Sequence, residues 1–143
     1  MKTLINLTYI FVYTLIAPCF GGKSYISNHA SQISINAFQK LRQMDDFLSN
    51  ESVQDFKQEI AKSIKILSEA IKKGQDKHGD MALDLEIQKE NIKIIECLYN
   101  YRINPNSKDA QYLSNWARSS GYWSDLIIKE MNKQKNPKFQ FKL

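Results

Sequence analysis

The stretch that decides the fold covers residues 99–133 and reads YNYRINPNSKDAQYLSNWARSSGYWSDLIIKEMNK. It contains both tryptophans and four of the seven tyrosines of the chain. Pro105 stands between two asparagines, and proline cannot continue a helix because it lacks a backbone N–H. Asn106 followed three residues later by Asp109 is typical of a helix N-cap. The stretch therefore predicts the end of one helix and the start of another.

The helix that follows this turn is expected to run from Ser107 towards Met131. Its apolar stripe passes through the glycine at position 121, which favours one helix with a weak point at residues 119–121. Two short helices are the alternative, because a glycine inside a helix costs about 1 kcal/mol relative to alanine. The stripe consists of Ala110, Leu113, Trp116, Ser120, Trp123 and Ile127.

The helix before the turn is predicted from Asp80, as its cap, to about Tyr101. It carries two apolar lines, and a helix that is apolar over most of its circumference packs inside a bundle. We therefore expect it to be the central helix. One line is Ala82, Leu85, Ile92, Ile95 and Tyr99, and the other is Leu83, Ile87, Ile94, Leu98 and Tyr101.

Two amphipathic helices are predicted further upstream, over residues 27–49 and 49–73. The second has the cleaner pattern, with apolar residues spaced by three and four throughout. Ser52 with Asp55 resembles a capping box, with Asn50 as the alternative cap, and Gly74 is the expected stop. The stripes are Ile26, Ile33, Ala37, Leu41, Met44 and Leu48, then Val53, Phe56, Ile60, Ile64, Leu67 and Ile71. Short connections between these helices predict an all-α, four-helix up-down bundle over residues 22–131.

Residues 1–21 are expected to be a cleaved signal peptide. Lys2 is followed by a mostly apolar run to Phe20 and then by two glycines, which is the pattern of a secretory leader. A membrane anchor and a lipoprotein modified at Cys19 are the alternatives. Export would make the protein secreted or periplasmic and would leave Cys97 without a partner for an internal disulfide.

The net charge of +5 comes from the two ends of the chain. Residues 132–143 form a basic tail with four lysines and no acid, and Lys2 belongs to the leader. The remaining body has 15 basic and 15 acidic residues. A balanced body argues against a nucleic-acid partner, whose binding needs a basic folded face. Contact with a membrane is expected only through the tail.

Few residues in the sequence suggest catalysis. His29 and His78 match no spacing typical of a metal site, so we expect no metal and no cofactor. Cys97 has no nearby base and is interpreted as a core residue. Glu86 and Glu90 lie one turn apart and could share a site. Carboxylates with this spacing are common on charged helix faces, so an enzyme built on them is the weakest hypothesis. We predict no catalytic residue.

The predicted partner-binding residues are Tyr101, Arg102, Tyr112, Arg118 and Tyr122. Tyr101 and Arg102 are expected in the turn after the central helix, and the other three on an outer face of the last helix. Tyrosine and arginine dominate binding hot spots, which supports this choice. Trp116 and Trp123 follow the apolar stripe and are expected in the core.

A short motif resembles the periplasmic amidase-immunity family of bacterial type VI secretion. The matching residues are Ile94, Ile95, Glu96, Cys97, Leu98 and Tyr101. The resemblance covers about eight residues, and the early Trp-and-Cys segment of that family has no counterpart. It implies a non-enzymatic inhibitor that blocks a peptidoglycan amidase, so that the partner is an effector enzyme.

Together these observations predict an exported, non-catalytic binding protein, with an immunity protein as the specific form. A helical bundle that binds a small ligand or cofactor is the first alternative. A membrane-surface protein that uses the Lys/Phe tail is the second.

Overall fold

A computed structural model describes residues 24–119 and 121–133. Within these ranges the chain forms five helices and no strand, which confirms the all-α prediction. The helices are α1 (Tyr25–Arg42), α2 (Asn50–Lys72), α3 (Asp80–Ile103), α4 (Ser107–Ser119) and α5 (Tyr122–Lys133). The predicted signal peptide and most of the basic tail lie outside the described residues.

Polar side chains cap the helix starts, although two caps differ from those predicted. Ser49 rather than Ser52 or Asn50 caps α2, and its hydroxyl accepts a hydrogen bond from the Ser52 N–H at 3.1 Å. At α3 the Asp76 carboxylate accepts from the N–H groups of Met81 and Ala82 at 3.1 and 3.0 Å. A carboxylate at this end also interacts favourably with the helix dipole. Asp80, the predicted cap, lies in the first turn of α3 instead.

The expectation of one long last helix is wrong, and the alternative of two helices is confirmed. Gly121 adopts φ +89°, a left-handed conformation that ends a helix and that glycine adopts without steric cost. The Ser124 hydroxyl donates to the Ala117 carbonyl at 2.8 Å, which satisfies an acceptor left open at the end of α4. The helices α4 and α5 pack against each other across this break.

The chain divides into two units, and the division falls within α3. Among the described residues, the first unit covers 24–93 and the second covers 94–119 and 121–133. The first unit therefore contains α1, α2 and the beginning of α3. The second contains the end of α3 with α4 and α5.

The core of the first unit lies where α1 and α2 pack together. Phe38 and Phe56 meet edge to face, with ring centroids 5.1 Å apart. Ala30, Leu67, Ala70 and Met81 form a buried cluster. The apolar stripe predicted for α2 is confirmed, with Ile64 and Ile71 half-buried and its other members buried.

The core of the second unit contains one of the two tryptophans. Trp123 is buried, as predicted, but Trp116 is only half-buried. The other large buried side chains of this unit are Ile94, Ile95, Leu98, Tyr101, Leu113, Leu126, Ile127 and Met131.

Candidate functional site

Tyr101 and Arg102 lie inside α3 and not in a turn after it, so the expected turn at these two residues is wrong. The helix α3 continues to Ile103 and includes both residues, because Pro105 breaks it later than expected. Tyr101 is 0% exposed, and its hydroxyl has no hydrogen-bond partner among the described residues. Tyr101 therefore contributes to the core of the second unit and presents no surface to a partner.

Arg102 makes a bidentate ion pair with Glu130 of α5. Its Nε donates to Oε2 at 3.1 Å and a terminal nitrogen donates to Oε1 at 2.8 Å. The Glu130 side chain is 1% exposed, and the Lys133 Nζ lies 3.9 Å from Oε1. Two parallel hydrogen bonds to one carboxylate set both distance and orientation. This pair fixes the end of α3 against α5 within the second unit.

The other three predicted residues lie at the surface of α4 and α5. Tyr112 and Tyr122 are half-buried, and Arg118 is exposed. Six helical positions separate Tyr112 from Arg118, which places them about 120° apart around α4. The structure therefore does not bring these two side chains onto one face of the helix.

Trp116 is the neighbour of Tyr112 that sequence reasoning missed. It follows Tyr112 by one turn, so both rings lie on the same side of α4. The core-facing side of α4 is formed by Ala110, Leu113, Ser114 and Ala117. The spacing of three and four between Ala110, Leu113 and Ala117 could have indicated that the two aromatic residues lie on another side of the helix. We call Tyr112 and Trp116 the aromatic pair of α4.

Amide and hydroxyl groups lie beside the aromatic pair. The Gln111 side chain donates to the Asn115 Oδ1 at 3.3 Å, and the Ser119 hydroxyl donates to the Asn115 carbonyl at 2.7 Å. All three residues are exposed. Half-exposed aromatic rings with Asn and Ser nearby resemble the composition of antibody-type binding surfaces.

The beginning of α3 departs from the predicted central helix. Leu83 and Ile87 are 63% and 43% exposed, whereas Asp84, Gln88 and Asn91 are buried. The Asn91 amide donates to the Gln88 Oε1 at 3.0 Å in this buried row. The spacing of four and three between these polar residues could have indicated an inward polar row.

The residues considered for chemistry are dispersed among the described helices and loops. His29 is exposed and stacks on Tyr25, with ring centroids 6.4 Å apart. His78 is exposed and Cys97 is half-buried. Glu86 is exposed and pairs with Lys89 at 3.4 Å. Within residues 24–119 and 121–133, no three His, Cys, Asp or Glu side chains are placed to hold a metal ion.

A hollow between α1 and α2 bears on the small-ligand alternative. Its cavity volume is about 20 Å³, and its lining includes Leu41, Met44 and Phe56. Pockets that hold a drug-sized ligand measure about 300–1,000 Å³. This hollow is therefore smaller than the alternative needs.

Among the described helices, none is both long and apolar enough to cross a membrane. No protein-family model matches the chain, and searches of curated proteins and of solved structures find no match either.

Proposed function

We propose that the chain is an exported, non-catalytic protein that binds and inhibits an effector enzyme in the periplasm. The observation that carries this proposal is the aromatic pair of α4, which lies outside the core and beside exposed amide groups. The cleaved leader, the up-down arrangement of the helices and the periplasmic location all belong to the proposal.

The position of Tyr112 supports a binding role. It lies on the side of α4 opposite to Ala110 and Ala117, so the core of the second unit does not require its ring. Large aromatic side chains that remain partly exposed are enriched at the centres of protein interfaces. Burying the two rings against a partner would remove apolar area from water without ordering long flexible side chains.

Arg118 and Tyr122 remain part of the proposed binding residues but lie apart from the aromatic pair. Arg118 is exposed near the end of α4, and Tyr122 begins α5 just beyond the break at Gly121. Arginine at an interface rim mainly raises association rates and selects partners of complementary charge. We therefore assign the largest energetic contribution to the aromatic pair.

The resemblance around Cys97 suggests the class of enzyme. In the amidase-immunity family the partner is a peptidoglycan amidase, and this proposal carries that partner class over to the present chain. The matching residues Ile94, Leu98 and Tyr101 are buried, so they would support the scaffold and not the contact itself.

The proposal is tested by affinity capture from a bacterial envelope extract, followed by assay of the captured protein on peptidoglycan. We expect a stoichiometric partner that cleaves peptidoglycan amide bonds and loses this activity in the complex. Trp116→Ala should weaken binding by about 30-fold, the effect of a hot-spot residue worth about 2 kcal/mol.

Tyr25→Ala is the matched control, because Tyr25 is an aromatic residue with 84% exposure in the first unit. It should leave the affinity unchanged. The proposal fails if no stoichiometric partner is captured, or if the two substitutions weaken binding equally.

A further inference from the structure

The beginning of α3 buries a row of polar residues in line with Met81 and exposes two apolar residues. Residues 80–93 bury Asp84, Gln88 and Asn91, which are 4%, 4% and 7% exposed. The same segment exposes Leu83 and Ile87, which lie one turn apart on one side of the helix. Surface helices normally direct polar residues outwards, so this exposed apolar pair is a feature that packing against another helix would bury.

Leu83 and Ile87 continue a line that serves as a packing surface further along α3. The line proceeds at helical spacing through Ile94, Leu98 and Tyr101, all of which are 0% exposed. The exposed pair thus has the residue types and the spacing by which helices pack against one another.

Acidic side chains border the exposed pair. Helical geometry places Asp80 and Glu90 about 40° to either side of the line through Leu83 and Ile87. Glu86 lies about 80° away, whereas Lys89 and Lys93 are about 100° or more away. Along α3 itself, the acidic residues therefore lie nearer to the apolar pair than the lysines do.

This charge distribution disfavours a second copy of the chain as the occupant. In an antiparallel pairing that sets Leu83 against Ile87, Asp80 of one copy faces Glu90 of the other. A parallel pairing in register sets each acidic residue against its own equivalent. Like charges placed opposite each other across an interface weaken association, so they disfavour pairing of two copies of this chain.

We propose that Leu83 and Ile87 dock an amphipathic helix of a partner protein whose apolar stripe is flanked by lysine or arginine. The apolar stripe of that helix packs on the two side chains, and its basic flanks lie against Asp80 and Glu90. The site lies in the first unit and uses different residues from the aromatic pair of α4, so it adds a second contact to the proposed function.

The probe is a fluorescein-labelled synthetic helix of about 18 residues, with leucines at spacings of three and four and lysine flanks. A second peptide keeps the leucines and replaces every lysine with glutamate. Binding to the full chain is followed by fluorescence anisotropy. We expect the basic peptide to bind, and to weaken as NaCl rises from about 50 to about 500 mM.

The double variant Leu83→Ala/Ile87→Ala should weaken binding of the basic peptide by at least about tenfold. Ile103→Ala is the matched control, because Ile103 is 66% exposed at the other end of the same helix. It should leave binding unchanged. Trp116→Ala should also leave peptide binding unchanged. This result would show that the peptide binds at Leu83 and Ile87 and not at the aromatic pair that carries the proposed function.

Equal binding of the acidic peptide would overturn the assignment, as would binding that Leu83→Ala/Ile87→Ala does not alter. A failure of the basic peptide to bind a chain with native helical circular dichroism would overturn it as well. Sedimentation that shows self-association, lost in the double variant, would identify a second copy as the occupant and would also overturn it.

Discussion

The two halves of α3 both carry apolar residues at helical spacing, but they bury different types of residue. Residues 80–93 place Asp84, Gln88 and Asn91 inside and Leu83 and Ile87 outside. Residues 94–103 bury Ile94, Ile95, Leu98 and Tyr101. Periodicity along one helix therefore marks the sides suited to packing, but it does not say which side the rest of the fold covers.

The largest expected effect concerns the ion pair that holds the second half of α3. Arg102→Met would leave the Glu130 carboxylate, 1% exposed, without its bidentate partner. We expect a loss of about 3–5 kcal/mol in the free energy of unfolding, because breaking one side of a buried ion pair leaves a desolvated charge. Urea unfolding followed by tryptophan fluorescence measures it, since both tryptophans lie in the second unit.

The double variant Arg102→Met/Glu130→Leu is the control for this prediction. It removes both charges and should regain most of the lost stability. A single substitution that costs under about 1 kcal/mol would show that the pair behaves as a surface ion pair.

The second prediction compares one residue type in the two halves. Leu98→Ala removes a side chain with 0% exposure and should cost about 3 kcal/mol through lost transfer energy and a new cavity. Leu83→Ala removes a side chain with 63% exposure and should change stability by less than about 0.5 kcal/mol. Urea midpoints from circular dichroism measure both, and equal costs would contradict the opposite burial of the two halves.

The third prediction concerns the buried polar row. Gln88→Leu removes the acceptor of the Asn91 amide and should cost about 1–2 kcal/mol, because a buried donor loses this hydrogen bond. Gln88→Leu/Asn91→Leu should cost less than the single change, since both members of the bond become apolar. A double variant that is less stable than the single one would show that the row makes further essential contacts.

The smallest expected effect concerns the start of α3. Asp76→Ala removes the acceptor for the Met81 and Ala82 N–H groups and should cost about 1 kcal/mol. Hydrogen exchange should accelerate in the first turns of α3 and remain unchanged over residues 94–103. Faster exchange along the whole helix would show that its two halves open together.

Much of the local structure could be predicted because it depends on neighbouring residues. The stripe of α2 packs as its spacing indicates, and Asn106 accepts the Asp109 N–H at 2.9 Å as its cap. Gly121 was identified as a weak point, but spacing alone favoured continuation through it. Gly121 adopts a left-handed conformation that ends α4, and Trp123 after it is buried whereas Trp116 before it is half-buried.

The candidate site was only partly predictable. Tyr112, Arg118 and Tyr122 lie at the surface of α4 and α5, but Tyr101 is buried because α3 continues past it. Trp116 was assigned to the core because it matched the apolar stripe. Burial depends on the elements that surround a residue, and a helical pattern contains no information about them.

By itself, the sequence of this protein determined the helical class, the turn at Asn104–Asn106 and the amphipathic pattern of α2. These features follow from backbone constraints and capping groups within a few residues of each other. Only the tertiary structure decided that α3 buries Asp84, Gln88 and Asn91, that Leu83 and Ile87 remain exposed, and that Arg102 pairs with Glu130. These outcomes depend on residues that packing brings together. Helix α3 has two apolar lines, and the local sequence pattern does not specify which of them is buried.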